Sequence, residues 1–309
     1  MALIIRVGPA REAWWLEHMQ ALLPEIACRP WSDPGDPDDI DIAVVWKPPA
    51  GGLKRFSNLK LIVSIGAGID HALADPELPR HVPIMRTTSD DLKVRMREYV
   101  VLHVLRLHRR LPEIEAAAAR REWLQLINPL AHQRRVGIMG LGDLGGDCAH
   151  ALATIGFDVA GWSRRPKTID GVESFAGDRQ LTAFLERTEI LVCLLPLTSS
   201  TEGILNADLF ERLPPGASII NAARGGHLVD ADLLAALDRG QIGSATLDVF
   251  TTEPLPSSSP FWDHPKVLVT PHVASLIDPL TGGKAIAANI RKFLAGDCVP
   301  DLVDHEQGY

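Results

Sequence analysis

The sequence predicts an α/β protein built on doubly wound parallel sheets. Three observations carry that prediction. Short β-branched, apolar runs alternate with helix-like stretches along nearly the whole chain. The runs are continuously apolar rather than alternating, the pattern of strands covered on both faces. The chain has 309 residues, and at roughly 150 residues per domain this leaves room for two such units.

The elements follow in order. Strands are expected at residues 3–7, 42–46, 61–64, 136–139, 158–161, 191–195, 218–221, 245–248 and 267–270. A long helical pattern covers residues 96–111, where Val100, Val104, Leu107 and Leu111 share one face. Pro112 is expected to interrupt it, and residues 113–122 are a second strong helix former. A further helical pattern at residues 280–295 closes at Gly296. Residues 100–272, a self-contained strand–helix series, are expected to form one domain. Residues 1–99 and 273–309 would then make a second, discontinuous one, and a cleft between two such domains is a common place for a ligand.

Composition excludes several classes. Apolar residues make up 46% and charged residues 23% of the chain, which is ordinary for a globular protein and rules out global disorder. The net charge of −8 opposes a general attraction to nucleic acid or anionic membrane. No apolar run approaches the ~20 residues of a membrane helix. Residues 1–7 lack the length and basic lead of a signal peptide, so a cytoplasmic protein is expected. Cys28, Cys148, Cys193 and Cys298 are too far apart for zinc or redox motifs. They are expected to be buried free thiols, and no metal site is expected.

Residues 136–145 read Val-Gly-Ile-Met-Gly-Leu-Gly-Asp-Leu-Gly, so Gly140, Gly142 and Gly145 fit G-x-G-x-x-G. A strand precedes the motif and a helix at 144–155 follows it. In that setting Gly140 permits a tight turn, Gly142 lets backbone approach a pyrophosphate, and Gly145 lets helix and strand pack closely. Asp143 and Leu144 then open the helix whose free N–H groups face the phosphates. The prediction sharpens to two Rossmann/flavodoxin-like domains with the active site in the cleft between them. At the end of the next strand an NAD-binding protein usually carries Asp or Glu for the ribose hydroxyls. Here the chain reads Trp162-Ser163-Arg164-Arg165-Pro166-Lys167. A carboxylate would repel a 2′-phosphate, whereas Arg164 or Arg165 can grip one. NADP(H) is therefore the preferred cofactor and NAD(H) a possible one; the bland alternative is a solvated basic loop.

Three clusters follow, each at the carboxyl end of an expected strand, where open α/β sheets bind ligands. They are Asn221-Ala222-Ala223-Arg224-Gly225-Gly226, Asp248-Val249-Phe250-Thr251-Thr252-Glu253-Pro254, and Thr270-Pro271-His272-Val273-Ala274-Ser275. Singly, an arginine after a strand is most often a surface cation and a lone histidine a structural residue. The joint order of cation, carboxylate and imidazole behind a dinucleotide fold outweighs those readings.

These motifs resemble those of the D-isomer-specific 2-hydroxyacid dehydrogenases over nearly the whole chain. Within that family the chain most resembles the A-type bacterial glyoxylate/hydroxypyruvate reductases. The stretches that carry this are Val45-Trp46-Lys47-Pro48-Pro49, Ile65-Gly66-Ala67-Gly68-Ile69-Asp70, Met96-Arg97-Glu98-Tyr99, Trp162-Ser163-Arg164 and the tail Gly308-Tyr309. The resemblance implies an enzyme that reduces a small 2-keto acid to a 2-hydroxy acid, with hydride from a nicotinamide and a proton from His272. Glu253 would hold the imidazole in its working tautomer and favour its charged form. Arg224 would bind the keto oxygen and carboxylate of the substrate.

The Gly66-Ala67-Gly68 turn would offer N–H groups to that carboxylate, chiefly at Ala67 and Gly68; a tight strand exit with no ligand is the plainer reading. Trp46 would bound the substrate, or simply pack. Pro196 and Ala222 would line the cofactor. Asp248 matches the family's aspartate near the nicotinamide, with a structural cap as the alternative. His71 and His103 read as structural or surface residues. A homodimer joined through the cofactor domains is implied, with the helices around residues 96–122 at the interface. The competing functions are a dehydrogenase of a longer D-2-hydroxy acid and, in a different class, a non-catalytic dinucleotide-sensing protein. The formate-oxidising branch is disfavoured, because it carries glutamine where this chain has Glu253.

Overall fold

The computed structural model describes residues 1–299, 302 and 303, so the Gly308-Tyr309 tail lies outside the described residues. Its strands are β1 (Ala2–Arg6), β2 (Ala27–Pro30), β3 (Ile40–Val45), β4 (Leu61–Ser64), β5 (Ile84–Met85), β6 (Arg135–Met139), β7 (Asp158–Ser163), β8 (Val172–Ala176), β9 (Ile190–Cys193), β10 (Ala217–Asn221), β11 (Ile242–Leu247), β12 (Val267–Val269) and β13 (Leu302–Val303). Its α-helices are α1 (Pro9–Leu22), α2 (Asp70–Leu73), α3 (Asp90–His108), α4 (Leu111–Ala119), α5 (Asp143–Ile155), α6 (Asp178–Glu186), α7 (Ala207–Arg212), α8 (Asp230–Asp238) and α9 (Gly282–Ala295).

The chain divides into two compact units, residues 1–92 with 276–309 and residues 93–275, with the first division inside α3. The first unit carries a six-stranded sheet in the order β13-β5-β4-β3-β1-β2. β1 to β5 pair in parallel, and β13 is the exception to the expected parallel sheet, pairing antiparallel with β5 through Val303 opposite Ile84. The second unit carries a seven-stranded, wholly parallel sheet in the order β12-β11-β10-β9-β6-β7-β8. Each sheet reverses its winding once, at β1/β3 in the first unit and at β6/β9 in the second. Loops leaving the carboxyl ends of those strands open a crevice in which doubly wound sheets take ligands. Trp46 follows β3 directly, the glycine motif follows β6, and Pro196 follows β9.

Residues of continuously apolar runs fill both interiors. β1 and β3 are buried almost throughout, and β6 and β9 behave alike in the second unit. Two expectations need correction. The helix that begins at Asp90 stops at His108, short of Leu111. Arg110 then takes a left-handed backbone, φ 56°, and Pro112 sits in the first turn of α4. A proline there gives up an N–H that no helix would have used, so Pro112 opens a helix rather than interrupting one.

The apolar stripe on α3 is also covered by its own unit. Met96, Tyr99, Val100, Val104 and Leu107 pack with Val136 and Ile138 of β6 and with Cys148, Ala149 and Leu152 of α5. Each fully buried valine there contributes roughly 1.5–3 kcal/mol. The apolar groups left exposed lie mostly further on, at Trp123 (91%), Ile127 (98%) and Leu130 (63%), with Leu102 (59%) on α3. Of the four cysteines only Cys148 and Cys193 are buried; Cys28 is half-buried and Cys298 exposed, against the expectation for all four. No helix among the described residues is long and apolar enough to cross a membrane.

Candidate active site

The glycine motif is built as the turn from β6 into α5. Gly140 has φ 102°, and its N–H donates to the Trp162 carbonyl at 2.8 Å. A Cβ on Gly140 would stand 2.7 Å from the Leu194 carbonyl oxygen, and one on Gly145 would stand 1.8 Å from the Gly140 carbonyl oxygen. Both glycines are therefore required by the chain's own packing. Gly142 differs: a Cβ there would meet nothing within 4 Å. Gly142 and Asp143 are exposed at the start of α5, Leu144 is half-buried and Gly145 buried. An open position beside unpaired helix N–H groups fits the pyrophosphate of a dinucleotide.

β7 ends in Ser163, which is buried and donates its hydroxyl to the Arg165 carbonyl at 2.7 Å. That bond folds the strand end so that Arg164, Arg165 and Lys167 lie exposed beyond it. At the β9 exit Pro196 is exposed, and its carbonyl accepts the Thr201 hydroxyl at 2.7 Å. Ala222 is buried, its N–H donating to the Cys193 carbonyl at 3.3 Å.

β10, β11 and β12 lie side by side and deliver the three remaining clusters. Arg224 leaves β10 on a tightly held loop. Asn221, fully buried, donates from Nδ2 to the Arg224 carbonyl at 3.1 Å and accepts the Ala223 N–H at 3.2 Å. A Cβ on Gly225 would stand 1.9 Å from the Phe250 carbonyl carbon, so the loops after β10 and β11 meet backbone to backbone.

Glu253 is held through its Oε1 by the Phe250 N–H at 3.0 Å, and its Oε2 lies 2.9 Å from His272 Nδ1. The side chains of His272 and Glu253 are 28% and 16% exposed, so the pair is shielded but reachable. A carboxylate at that distance accepts a hydrogen bond from Nδ1–H and leaves Nε2 as the nitrogen that can give or take a proton.

His272 has φ 53°, a left-handed backbone that costs a non-glycine residue roughly 1–2 kcal/mol. Asp248 offsets that cost. Its carbonyl accepts the His272 N–H at 2.8 Å. Its buried carboxylate accepts the Thr270 hydroxyl at 2.6 Å, the Val273 N–H at 2.9 Å and the Ala274 N–H at 2.9 Å. Since Thr270 donates to Asp248, its oxygen is left to accept from the Tyr99 phenol at 2.7 Å. Burial and the Asp248 charge push the Tyr99 phenol up, which keeps it a donor. Burial also raises the Asp248 carboxyl above its ordinary value, against the pull of its hydrogen bonds and of His272. Both carboxyl oxygens of Asp248 are thus engaged by the loop that carries His272.

In the first unit Trp46 packs on His71 with ring centroids 4.5 Å apart. A Cβ on Gly66 would stand 2.7 Å from that indole, so glycine lets Trp46 lie against the turn. Gly66, Ala67 and Gly68 are half-buried. The Gly68 carbonyl accepts the Ser64 hydroxyl at 2.9 Å, and Ser64 Oγ lies 3.1 Å from His71 Nε2. His71 thus supports this turn, which sequence alone did not reveal. Asn221, Thr270 and Tyr99 fell within the motif stretches with no role of their own, and His227 fell outside them. The one available signal was a polar residue closing an apolar strand, as Asn221 does in Ser218-Ile219-Ile220-Asn221.

Known proteins resemble the chain over nearly its whole length. Residues 101–274 match the family model described as D-isomer specific 2-hydroxyacid dehydrogenase, NAD binding domain. The chain belongs to the D-isomer-specific 2-hydroxyacid dehydrogenase family. Among relatives of this dehydrogenase, the glyoxylate/hydroxypyruvate reductase A of Yersinia enterocolitica is 45% identical over 302 residues, 96% of each chain. The protein of the same name from Serratia proteamaculans is 44% identical over 300 residues, again 96% of each. A D-isomer specific 2-hydroxyacid dehydrogenase from Xanthobacter autotrophicus, solved with NADPH and MES, superposes with a TM-score of 0.93 at 43% identity, covering 100% of this chain and 99% of that one. The NADPH-dependent glyoxylate/hydroxypyruvate reductase of Sinorhizobium meliloti, solved with NADP and sulfate, gives 0.91 at 40% identity, covering 100% of both.

Proposed function

We propose that this dehydrogenase reduces small 2-keto acids, glyoxylate and hydroxypyruvate among them, to 2-hydroxy acids with NADPH. The observation that carries the reading is the His272–Glu253 hydrogen bond of 2.9 Å at the carboxyl edge of a dinucleotide-type sheet. Relatives named for that activity at 40–45% identity support it. In this reading residues 93–275 form the cofactor domain and the remainder the substrate domain. Gly142, Asp143 and Leu144 present backbone N–H groups to the pyrophosphate, while Arg164 and Arg165 receive the 2′-phosphate from the strand end that the Ser163 hydroxyl folds. Pro196, Ala222 and Asp248 border the rest of the cofactor. When bound, the dihydronicotinamide supplies the hydride.

His272 delivers the proton from Nε2 to the forming alkoxide, and Glu253 stabilises the imidazolium needed for that step. Arg224 draws charge toward the keto oxygen and pairs with the carboxylate. Ala67 and Gly68 give the carboxylate further N–H donors, and Trp46 bounds the substrate. A second copy of the chain covers Leu102, Trp123, Ile127 and Leu130, giving a homodimer in the cytoplasm. The test is a panel of 2-keto acids assayed with NADPH and with NADH. Turnover of short 2-keto acids supports the reading. Turnover confined to longer acids moves the substrate class, and cofactor binding without turnover of any acid refutes enzymatic function.

A further inference from the structure

His227 lies outside the motifs read from the sequence, yet its ring is fully buried. It closes the short 3-10 turn Gly225–His227 that follows Arg224. Its Nε2 stands 3.2 Å from the Pro196 carbonyl. A carbonyl oxygen can only accept, so Nε2 carries the hydrogen. Nδ1 stands between the two polar groups of Arg224, 3.2 Å from its N–H and 3.1 Å from its carbonyl oxygen. With the single hydrogen of the neutral ring on Nε2, whose partner is a carbonyl, Nδ1 accepts the Arg224 N–H. From the other side the Asn221 amide holds the Arg224 carbonyl. The backbone of Arg224 is thus gripped at both its polar groups by fully buried side chains. The far end of the His227 ring reaches the loop after the neighbouring strand β9.

We propose that His227 is a positioning residue that fixes the Arg224 loop against the Pro196 loop. It thereby couples the grip on the substrate's carboxylate to the cofactor side of the site. The inference rests on the roles given above to Arg224 and Pro196. Two atoms of one ring do separate work. Nδ1 sets the backbone from which the Arg224 side chain departs, and Nε2 sets the height of the Pro196 loop. The loop cannot yield toward β11, because Gly225 already lies against Phe250 there.

The two ends can be tested apart on the full-length protein. His227→Leu keeps bulk and removes both bonds. His227→Asn places an acceptor near the position of Nδ1, and His227→Gln reaches the position of Nε2. With the leucine variant, kcat/KM for glyoxylate should fall about ten-fold or more, the equivalent of one buried hydrogen bond. The NADPH Kd from fluorescence titration should rise as well. Asparagine should restore the glyoxylate KM but not the NADPH Kd, and glutamine should do the reverse. Equal losses in both variants, tracking their Tm, would mean that the ring only packs, and would overturn the proposal.

If the wild-type protein turns over no keto acid, the reading of the enzyme fails on its own. The His227 proposal is then still decided by the NADPH Kd and by nitrogen NMR of histidine-labelled protein. The resonance missing from the glutamine variant should report a protonated Nε2 and a bare Nδ1. A protonated Nδ1 with a bare Nε2 would refute it.

Discussion

Replacing Asp248 with asparagine changes one carboxyl oxygen into an amide nitrogen and leaves the shape of the side chain intact. Three donors converge on this carboxylate: the Thr270 hydroxyl, the Val273 N–H and the Ala274 N–H. An amide offers one oxygen, so at least one of the two backbone N–H groups must face an NH2 group. An orphaned buried N–H costs about 1–3 kcal/mol, partly offset because a desolvated charge is removed. The net loss should be about 1–2 kcal/mol, a fall in Tm of roughly 2–8 °C for a domain of this size. The same perturbation loosens the segment that holds His272 at φ 53°. If that loosening is felt in the transition state, kcat falls about five- to thirty-fold, while the KM for NADPH moves little. NADPH oxidation at saturating glyoxylate and thermal unfolding by circular dichroism measure the two effects. A variant with lowered Tm and unchanged kcat would show that His272 does not depend on this grip. A raised NADPH KM at constant kcat would show that Asp248 serves the cofactor it borders rather than the His272 loop.

His272→Ala should lower kcat at least about a hundred-fold with little change in NADPH affinity, and near-normal turnover would remove His272 from the mechanism. Glu253→Gln should lower kcat about ten-fold through loss of a charge-assisted hydrogen bond. Wild-type enzyme should favour NADPH over NADH by about ten-fold or more in kcat/KM. Ser163→Asp with Arg164→Ala should erase or reverse that preference; an unchanged ratio would place the phosphate contact elsewhere. The preference should weaken in high salt, since Arg164 and Arg165 are exposed. Burial and the nearby Arg106 lower His103 to about 4. A base with a depressed folded-state value stabilises the fold above its unfolded value of ~6.5, and this is lost as pH falls through its folded value. Unfolding free energy should therefore drop by about 2–4 kcal/mol between pH 6.5 and 4, and His103→Leu should remove most of that slope.

What the sequence discloses is set by where an element lies. Central strands such as β4 and β6 are runs of apolar residues and were legible to within a residue. The edge strands β2 and β8 were not. β2 reads Ala-Cys-Arg-Pro and β8 reads Val-Glu-Ser-Phe-Ala, because a strand at a sheet edge needs no continuous apolar run. Pro112 was misread because a proline that ends one helix and a proline that opens the next look alike until the stop of the first is known. Arg224, Glu253 and His272 were legible as ordered clusters behind a glycine motif. Tyr99 and Thr270 were not, because their contact joins positions 171 residues apart. No local pattern states which atom a buried hydroxyl will meet.

The three glycines of the nucleotide turn answer to different masters. Gly140 and Gly145 are demanded by neighbouring backbone, and either would bring a collision if replaced. Gly142, with φ −74° and open space where a side chain would go, satisfies no requirement of the folded chain itself. A descendant that ceased to use a dinucleotide could therefore change Gly142 at once and keep its fold. Gly140 and Gly145 would persist in it as relics of packing. In a degenerate copy of this domain, the middle glycine alone tells a working site from a remembered shape.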